Sequence, residues 1–120
     1  MAQVRNLTSR SCRADVDDRP AGHVTTLVNH FTVAPERCDE LVALLERATE
    51  DVMRHLRGFV SANLHVSLDG TRVVNDAQWE SEEAYAAMLT DPVRREHMGR
   101  ALELASCEPH LYRVASVHPA

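Results

Sequence analysis

Residues 73–85 read VVNDAQWESEEAY and contain the only Trp of the chain. The first half of this stretch is rich in side chains that favour a β-strand. Because side chains alternate along a strand, Val73, Asn75, Ala77 and Trp79 are predicted to share one face of a sheet. An unpaired amide in such an apolar row costs about 1–3 kcal/mol. We therefore expect Asn75 to have a polar partner, which is a neighbouring strand, a trapped water or a ligand.

The composition of the chain excludes several classes of protein. The 120 residues are 44% hydrophobic and 26% charged, as is usual for one globular domain. No apolar run reaches the roughly 18–20 residues of a membrane span, so no membrane partner is expected. The net charge of −5, with scattered Arg residues, argues against a nucleic-acid partner.

The cysteines indicate a reducing compartment. Cys12, Cys38 and Cys107 are odd in number and widely spaced, which is typical of free thiols. The first residues also lack the apolar segment of a secretory signal. We therefore predict a cytoplasmic protein.

The chain divides into a leader at 1–22, which has no sustained periodicity, and a single domain at 23–120. The first half of the domain is predicted to contain a strand at 24–33 and a helix from Pro35 to a left-handed cap at Gly58. Two strands at 59–68 and 71–80 follow, joined by a tight hairpin turn at Asp69-Gly70. The second half contains a helix from Ser81 to Leu89, a second helical piece from Pro92 to about 105, and a strand at 110–117.

This order predicts an α+β, ferredoxin-like βαββαβ fold with an antiparallel sheet of strand order 4-1-3-2 and the helices on one face. Strands one and three are then neighbours, which brings Asn29 and Asn75 to the same apolar face. The other face is bare in a monomer. Pairing two such faces in a homodimer covers it most simply.

Several polar side chains have two interpretations each. Asn29 and Asn75 are either the polar groups of a pocket or a core pair that satisfies itself. His97 lies in an apolar helical stripe with Val93, Ala101 and Leu104, where it is a hydrogen-bonded core residue, a proton carrier or a metal ligand. His65 belongs either to a solvated row or to a cavity wall. Tyr85 either anchors its helix or donates a hydrogen bond into the space between helix and sheet.

Motifs for common cofactors and nucleophiles are absent from the sequence. It has no GxGxxG, P-loop, GxSxG or HExxH motif, and its seven histidines form no closely spaced ligand pair. We therefore predict no metal site. The nearest carboxylates, Asp76 and Glu80, are predicted to face away from Asn75, so no carboxylate base is visible.

The pattern NxxxW-S-x-x-AY, formed by Asn75, Trp79, Ser81, Ala84 and Tyr85, resembles the antibiotic biosynthesis monooxygenase family. The internal VNHF and RGF sequences add to this resemblance, which covers about 23–117. Within the family, the chain is most similar to the quinone-forming monooxygenases of aromatic polyketide pathways. The resemblance implies a dimeric α+β barrel that oxidises an anthrone-like or naphthacenone-like methylene with O₂ as co-substrate. It also implies that no flavin, haem or metal takes part.

The resemblance also implies roles for individual side chains, some of them already singled out above. The predicted catalytic residues are Asn29, Asn75 and Trp79, and the predicted substrate-binding residues are His65, Tyr85 and His97. Some members of the family carry an Arg on the second helix. Arg95 and Arg100 are the nearest candidates here, and neither aligns across Pro92, so that role is left unassigned.

Two other functions remain open at this point. Haem-degrading enzymes of the same fold use a first-strand Asn and a second-helix His, which match Asn29 and His97. Their pocket Trp, however, would fall near Met88, where this chain has no Trp. A non-catalytic dimeric module that binds small aromatic molecules is the other alternative. Haem binding distinguishes the first alternative, and oxygen uptake with an anthrone distinguishes the second.

Overall fold

The computed structural model describes residues 24–120, and the predicted leader lies outside these described residues. The elements are β1 (Thr25–Val33), α1 (Cys38–Asp51), β2 (Phe59–Val66), β3 (Arg72–Trp79), α2 (Glu82–Leu89), α3 (Pro92–Leu104) and β4 (Ala105–Arg113). Short 3-10 turns precede and follow α1, at Pro35–Arg37 and Met53–His55.

The four strands form one antiparallel sheet of order β2-β3-β1-β4. This is the predicted ferredoxin-like order read from the other edge, so the predicted fold is confirmed. In the register between β1 and β3, Asn29 lies directly opposite Asn75, and Leu27 lies opposite Ala77. Residues directly opposite in an antiparallel pair project from the same face. The two amides therefore share one face of the sheet.

That face is covered by the helices, which supply the other half of the core. One buried cluster joins Phe31 and Val73 of the sheet to α1 and to Ala101 of α3. A second cluster joins Leu27, Ala77 and Trp79 to Met88 of α2. The helix-facing side of the sheet is thus apolar at both ends, with the two amides between.

Side-chain caps begin both of the later helices, as the sequence predicts. The Ser81 hydroxyl accepts a hydrogen bond from the Ala84 backbone N–H at 3.1 Å. The Asp91 carboxylate accepts from the backbone N–H groups of Val93 and Arg94, at 3.0 and 2.9 Å. These bonds satisfy amide groups that the first turn of a helix leaves without partners.

The predicted bounds of three segments are wrong. Helix α1 does not run on to Gly58 but ends at Asp51, because Val52 leaves helical geometry with φ −125° and ψ −65°. The hairpin loop is longer than two residues, since the backbone pair that closes it joins Ser67 to Arg72. Strand β4 runs from Ala105 to Arg113 rather than from 110 to 117.

Pro109 explains why the start of β4 is hard to predict. A proline normally argues against a strand because it has no N–H for the hydrogen-bond ladder. Strand β4 is at the edge of the sheet, where only one side of the strand needs partners. Pro109 is therefore accommodated opposite Asn29 on β1.

Gly58 is left-handed, with φ +88°, but it lies in the turn before β2 rather than at a helix cap. A Cβ added there would collide with the Ala84 Cβ on α2. Gly70 in the hairpin has a similar φ of +74°, and a Cβ there would meet nothing within 4 Å. Substitution of Gly70 therefore tests backbone strain alone, whereas substitution of Gly58 adds a steric collision.

We expect Gly58→Ala to destabilise the protein more than Gly70→Ala. The left-handed conformation costs an L-residue about 1–2 kcal/mol at either site. At Gly58 the contact with Ala84 adds about 1–3 kcal/mol, the usual cost of overpacking. Urea denaturation of both variants measures the difference directly. Equal losses of stability would show that α2 moves away at no cost.

Among the described residues, no helix is both long enough and apolar enough to cross a membrane.

Candidate active site

Two adjoining hollows lie between the sheet and the helices. The first spans about 380 Å³, a volume that includes open solvent at its mouth, and apolar side chains of α1 and β1 form much of its wall. Its polar lining consists of Thr49, Asn75, Arg94 and His97. The second spans about 230 Å³, again including open solvent, and reaches Trp79. Thr49, Met53 and Asn75 line both hollows, so Asn75 stands where they meet.

The amides of Asn29 and Asn75 do not satisfy each other. The Oδ1 atoms of both residues are buried, and neither has a hydrogen-bond partner within the described chain. Asn75 lines both hollows, whereas Asn29, which is 4% exposed, does not line either one. The prediction that these amides project from one face is therefore confirmed. Their alternative role as a self-satisfied core pair is not what the structure shows.

A buried amide on the opposite face of the sheet behaves differently. Gln78 is 3% exposed, and its Oε1 accepts a hydrogen bond from the Ser61 hydroxyl at 2.7 Å. Its Nε2 donates to the Asp76 carboxylate at 3.0 Å. Since buried polar groups are normally paired in this way, the unpaired state of Asn29 and Asn75 distinguishes the helix-facing side as a place for a ligand.

Trp79 projects from the same face of β3 as Asn75, four residues further along the strand. It is 1% exposed, and its ring meets Phe59 edge-on, with 5.4 Å between centroids, and Tyr85 at 6.5 Å. Its indole Nε1 is buried without a hydrogen-bond partner among residues 24–120. These contacts fix the ring, so the indole N–H is a positioned donor beside the second hollow.

Arg94 of α3 is the cation of the site, and the sequence did not reveal it. Its side chain lines the first hollow, and its Nε is buried without a partner in the described part of the chain. Burial lowers the pKa of Arg94, and the neighbouring Tyr85 acts in the opposite sense. Arg95 is exposed, and Arg100 is exposed and lies 3.9 Å from Glu96. Neither of the two arginines considered from the sequence lines a hollow.

A pattern in α3 explains how Arg94 was missed. The sequence places Val93 in the buried stripe, but Val93 is 47% exposed. The inward face instead carries Arg94, His97, Met98 and Ala101, at helical spacings of three and four. Because the stripe begins with Arg94, a charged residue, the sequence does not show the apolar spacing that usually marks a buried helix face. The predicted face was therefore wrong by one residue at its beginning.

Tyr85 and His97 lie near the hollows, as expected of substrate-binding residues. Tyr85 packs against Trp79 and is half-buried, and burial raises the pKa of its phenol. The phenol therefore keeps its proton and remains a hydrogen-bond donor at neutral pH. His97 lines the first hollow, and its Nδ1 lies 2.9 Å from the Val93 carbonyl oxygen.

His65 is not brought into this site. It projects from β2 on the open face of the sheet, which it shares with Asn63, Val74 and Asp76 and not with Asn75. Its side chain is 62% exposed, and its Nε2 lies 4.0 Å from the Asp76 carboxylate. The opposite orientation of alternate residues in a strand keeps it away from the hollows. Its predicted place in the substrate pocket is therefore wrong, and the solvated-row interpretation describes its position.

The arrangement suits the stabilisation of an anion. Amide, indole and guanidinium donors surround space that is otherwise apolar, where fixed donors act more strongly than in water. No Asp or Glu is among the described residues that line the two hollows. Within residues 24–120, no group of three or more His, Cys, Asp or Glu side chains is placed to hold a metal ion.

The chain also matches a family of known proteins in sequence. Residues 25–100 match the antibiotic biosynthesis monooxygenase family. The chain is 46% identical over 90 residues to tetracenomycin-F1 monooxygenase of Streptomyces glaucescens. This match covers 75% of this chain and 80% of that protein.

Two solved structures share the fold and considerable sequence. SnoaB, a cofactor-independent oxygenase from Streptomyces nogalater, is 26% identical with a TM-score of 0.75, covering 82% of this chain and all 100% of SnoaB. A monooxygenase from the gene ActVA-Orf6 of Streptomyces coelicolor, in complex with nanaomycin D, is 32% identical with a TM-score of 0.71. That match covers 80% of this chain and 92% of the other.

Proposed function

Because this chain belongs to the antibiotic biosynthesis monooxygenase family, we propose that it oxidises the methylene of an anthrone-like or naphthacenone-like aromatic polyketide to a quinone with O₂. The enzyme class is established by its relatives: it is a polyketide-pathway monooxygenase that needs no cofactor, as is SnoaB. The substrate class and the bond oxidised are the parts that we propose.

The observation that carries this proposal is the set of unpaired polar atoms around the hollows, which are the donors Trp79 Nε1 and Arg94 Nε and the acceptor Asn75 Oδ1. Asn75, Trp79 and Arg94 each have a buried polar atom without a partner in the described residues. A flat polyphenol supplies an apolar body that matches the apolar walls, oxygens that accept from Trp79 and Arg94, and hydroxyl groups that donate to Asn75 Oδ1.

The reaction needs little beyond binding and stabilisation of charge. Loss of one methylene proton gives an enolate, whose electron-rich carbon reduces O₂ and forms a C–O bond. The resulting peroxide loses water, so CH₂ and O₂ become C=O and H₂O. Negative charge develops on oxygen in the enolate and in the peroxide. Donors fixed around a dry site stabilise such charge without reorganising.

Individual residues take distinct parts in this proposal. Asn75 and Trp79 donate to the enolate and to the peroxy intermediate, and Asn29 supports them from the neighbouring strand. Arg94 supplies the positive charge beside them. Tyr85 and His97 contact the bound substrate from the helical side of the pocket.

A homodimer is also part of the proposal. The open face of the sheet exposes a mixed surface that includes Val28, Val74 and Tyr112 on three neighbouring strands. Packing this face against its copy removes the apolar members from water. We also place the enzyme in the cytoplasm, which suits the free thiols of Cys38 and Cys107.

Oxygen uptake with the anthrone dithranol tests the proposal. We expect the wild type to consume one O₂ for each quinone formed, and Trp79→Phe to lose about 10- to 100-fold of this rate. That loss corresponds to one hydrogen bond to a charged group, about 1.5–3 kcal/mol. Phe retains the ring contact with Phe59, so the variant should remain folded.

The outcomes separate the proposal from its alternatives. A protein that binds dithranol tightly without consuming O₂ is a binding module, which would refute the proposed reaction. A haem titration that gives a Soret shift lost in His97→Ala would favour haem degradation instead. Wild-type turnover in Trp79→Phe would remove Trp79 from the mechanism.

A further inference from the structure

Among the described residues that line the first hollow, His97 is the one that can accept a proton. It lies on α3 one turn after Arg94, and both side chains line the hollow together with Asn75. The reaction proposed above begins with removal of a proton from carbon. A side chain at this position shares the hollow with the enolate-stabilising residues Asn75 and Arg94.

The hydrogen bond of His97 fixes its tautomer. Nδ1 lies 2.9 Å from the Val93 carbonyl oxygen, which can only accept. The ring proton of neutral His97 therefore resides on Nδ1, and Nε2 carries a lone pair. No other hydrogen bond to His97 is formed within residues 24–120, so Nε2 is free to take a proton. The Val93 carbonyl also stabilises the imidazolium that results.

Other ionisable groups near the hollows are unsuited to this task. Arg94 is a cation with no acceptor atom. Tyr85 has a raised pKa because it is buried, so it remains a phenol. Asp76 projects from the opposite face of the sheet, where it accepts from Gln78. Glu80 is exposed after the end of β3.

The carboxylates of α1 also lie outside the two hollows. Glu46 and Glu50 border a separate groove between α1 and β2. Glu50 is paired with Arg54 there, at 2.7 Å. The helix on the far side of the pocket therefore offers no competing base.

We propose that Nε2 of His97 is the general base that removes the methylene proton of the substrate. The C–H bond breaks, an N–H bond forms at Nε2, and the electron pair remains in the enolate between Asn75 and Arg94. The proton returns when the peroxide loses water, so the imidazole ends the cycle neutral. This inference rests on the proposed function, since it names the proton acceptor of that reaction.

Deuterium exchange without oxygen tests the step alone. Dithranol is incubated with enzyme in O₂-free D₂O buffer, and loss of the methylene proton signal is followed by NMR. We expect wild-type enzyme to exchange the methylene well above the buffer rate. His97→Ala should lower this enzymatic exchange about 100-fold, the lower end of what general bases contribute. Added imidazole should restore part of it, which a purely structural role of His97 would not explain.

A matched variant and a second substitution keep the test decisive. His55→Gln alters a histidine at the end of the 3-10 turn Met53–His55, which also bonds a backbone carbonyl, that of Glu50 at 3.1 Å, and which lines neither hollow. It should exchange like wild type. If His97→Ala does not fold, as judged by circular dichroism, His97→Gln replaces it, since Gln keeps a polar group of similar length and is not a base.

The two proposals fail in different ways. Exchange at the wild-type rate in the His97 variants, with oxygen uptake also unchanged, overturns the assignment of the base and leaves the proposed reaction intact. Wild-type exchange that is never followed by oxygen uptake overturns the reaction and leaves the base in place. Absence of exchange above buffer in wild type overturns the assignment of the base.

Discussion

Replacing Asn75 by Ala should lower the oxygen uptake of the enzyme about 10²- to 10³-fold without lowering its stability. The activity loss is that of removing one preorganised donor from an oxyanion site. The stability result follows from the buried Oδ1, which has no partner in the described chain. A buried polar group without a partner costs about 1–3 kcal/mol, so its removal relieves that cost. Most substitutions at a buried position have the opposite effect on stability.

Oxygen-electrode rates and thermal melting of the same preparations measure both quantities. Asn63→Ala is the matched control, because Asn63 is on the neighbouring strand and is paired in register with Asp76 rather than with Asn75. It should retain wild-type uptake. A large fall in the melting temperature of Asn75→Ala, with activity lost only in proportion to unfolded protein, would mean that the amide is structural.

The faces of the central strands were predictable because period-two alternation is a local property. Asn75 and Trp79 are four residues apart on one strand, so any extended conformation of β3 places them on the same face. The pairing of Asn29 with Asn75 needed one further step, the strand order of the fold. That step succeeded because few topologies satisfy the order of elements with right-handed crossovers.

The boundary errors came from effects that a local pattern does not contain. Apolar residues continue at helical spacing beyond Asp51, yet the backbone leaves the helix at Val52 and continues as a 3-10 turn. Pro109 is admitted to β4 only because that strand is at the edge of the sheet. His65 was assigned to the pocket by family resemblance, although its alternation with Leu64 places it on the other face. Tertiary position decided the outcome for Pro109, whereas local alternation along β2 decided it for His65.

Arg94 is the largest omission, and its role leads to the second major prediction. We expect Arg94→Met to lower oxygen uptake about 10²- to 10³-fold, as expected for a charged donor that stabilises developing negative charge. Met retains an unbranched apolar stem for packing against the hollow. Burial lowers the pKa of Arg94, which means that the folded state disfavours its charge. Removing that charge should therefore leave the melting temperature unchanged or raise it.

The neighbouring Arg95→Met variant is the control. Arg95 is exposed, and its substitution removes the same charge from the same helix. The dependence of the rate on substrate concentration shows when Arg94 acts. A fall in kcat with KM unchanged indicates that the guanidinium meets negative charge only after the proton has left carbon. A rise in KM with kcat unchanged indicates that it binds a substrate already ionised. Wild-type values of both constants in Arg94→Met would show that the buried cation takes no part, and the enolate would then depend on the neutral donors alone.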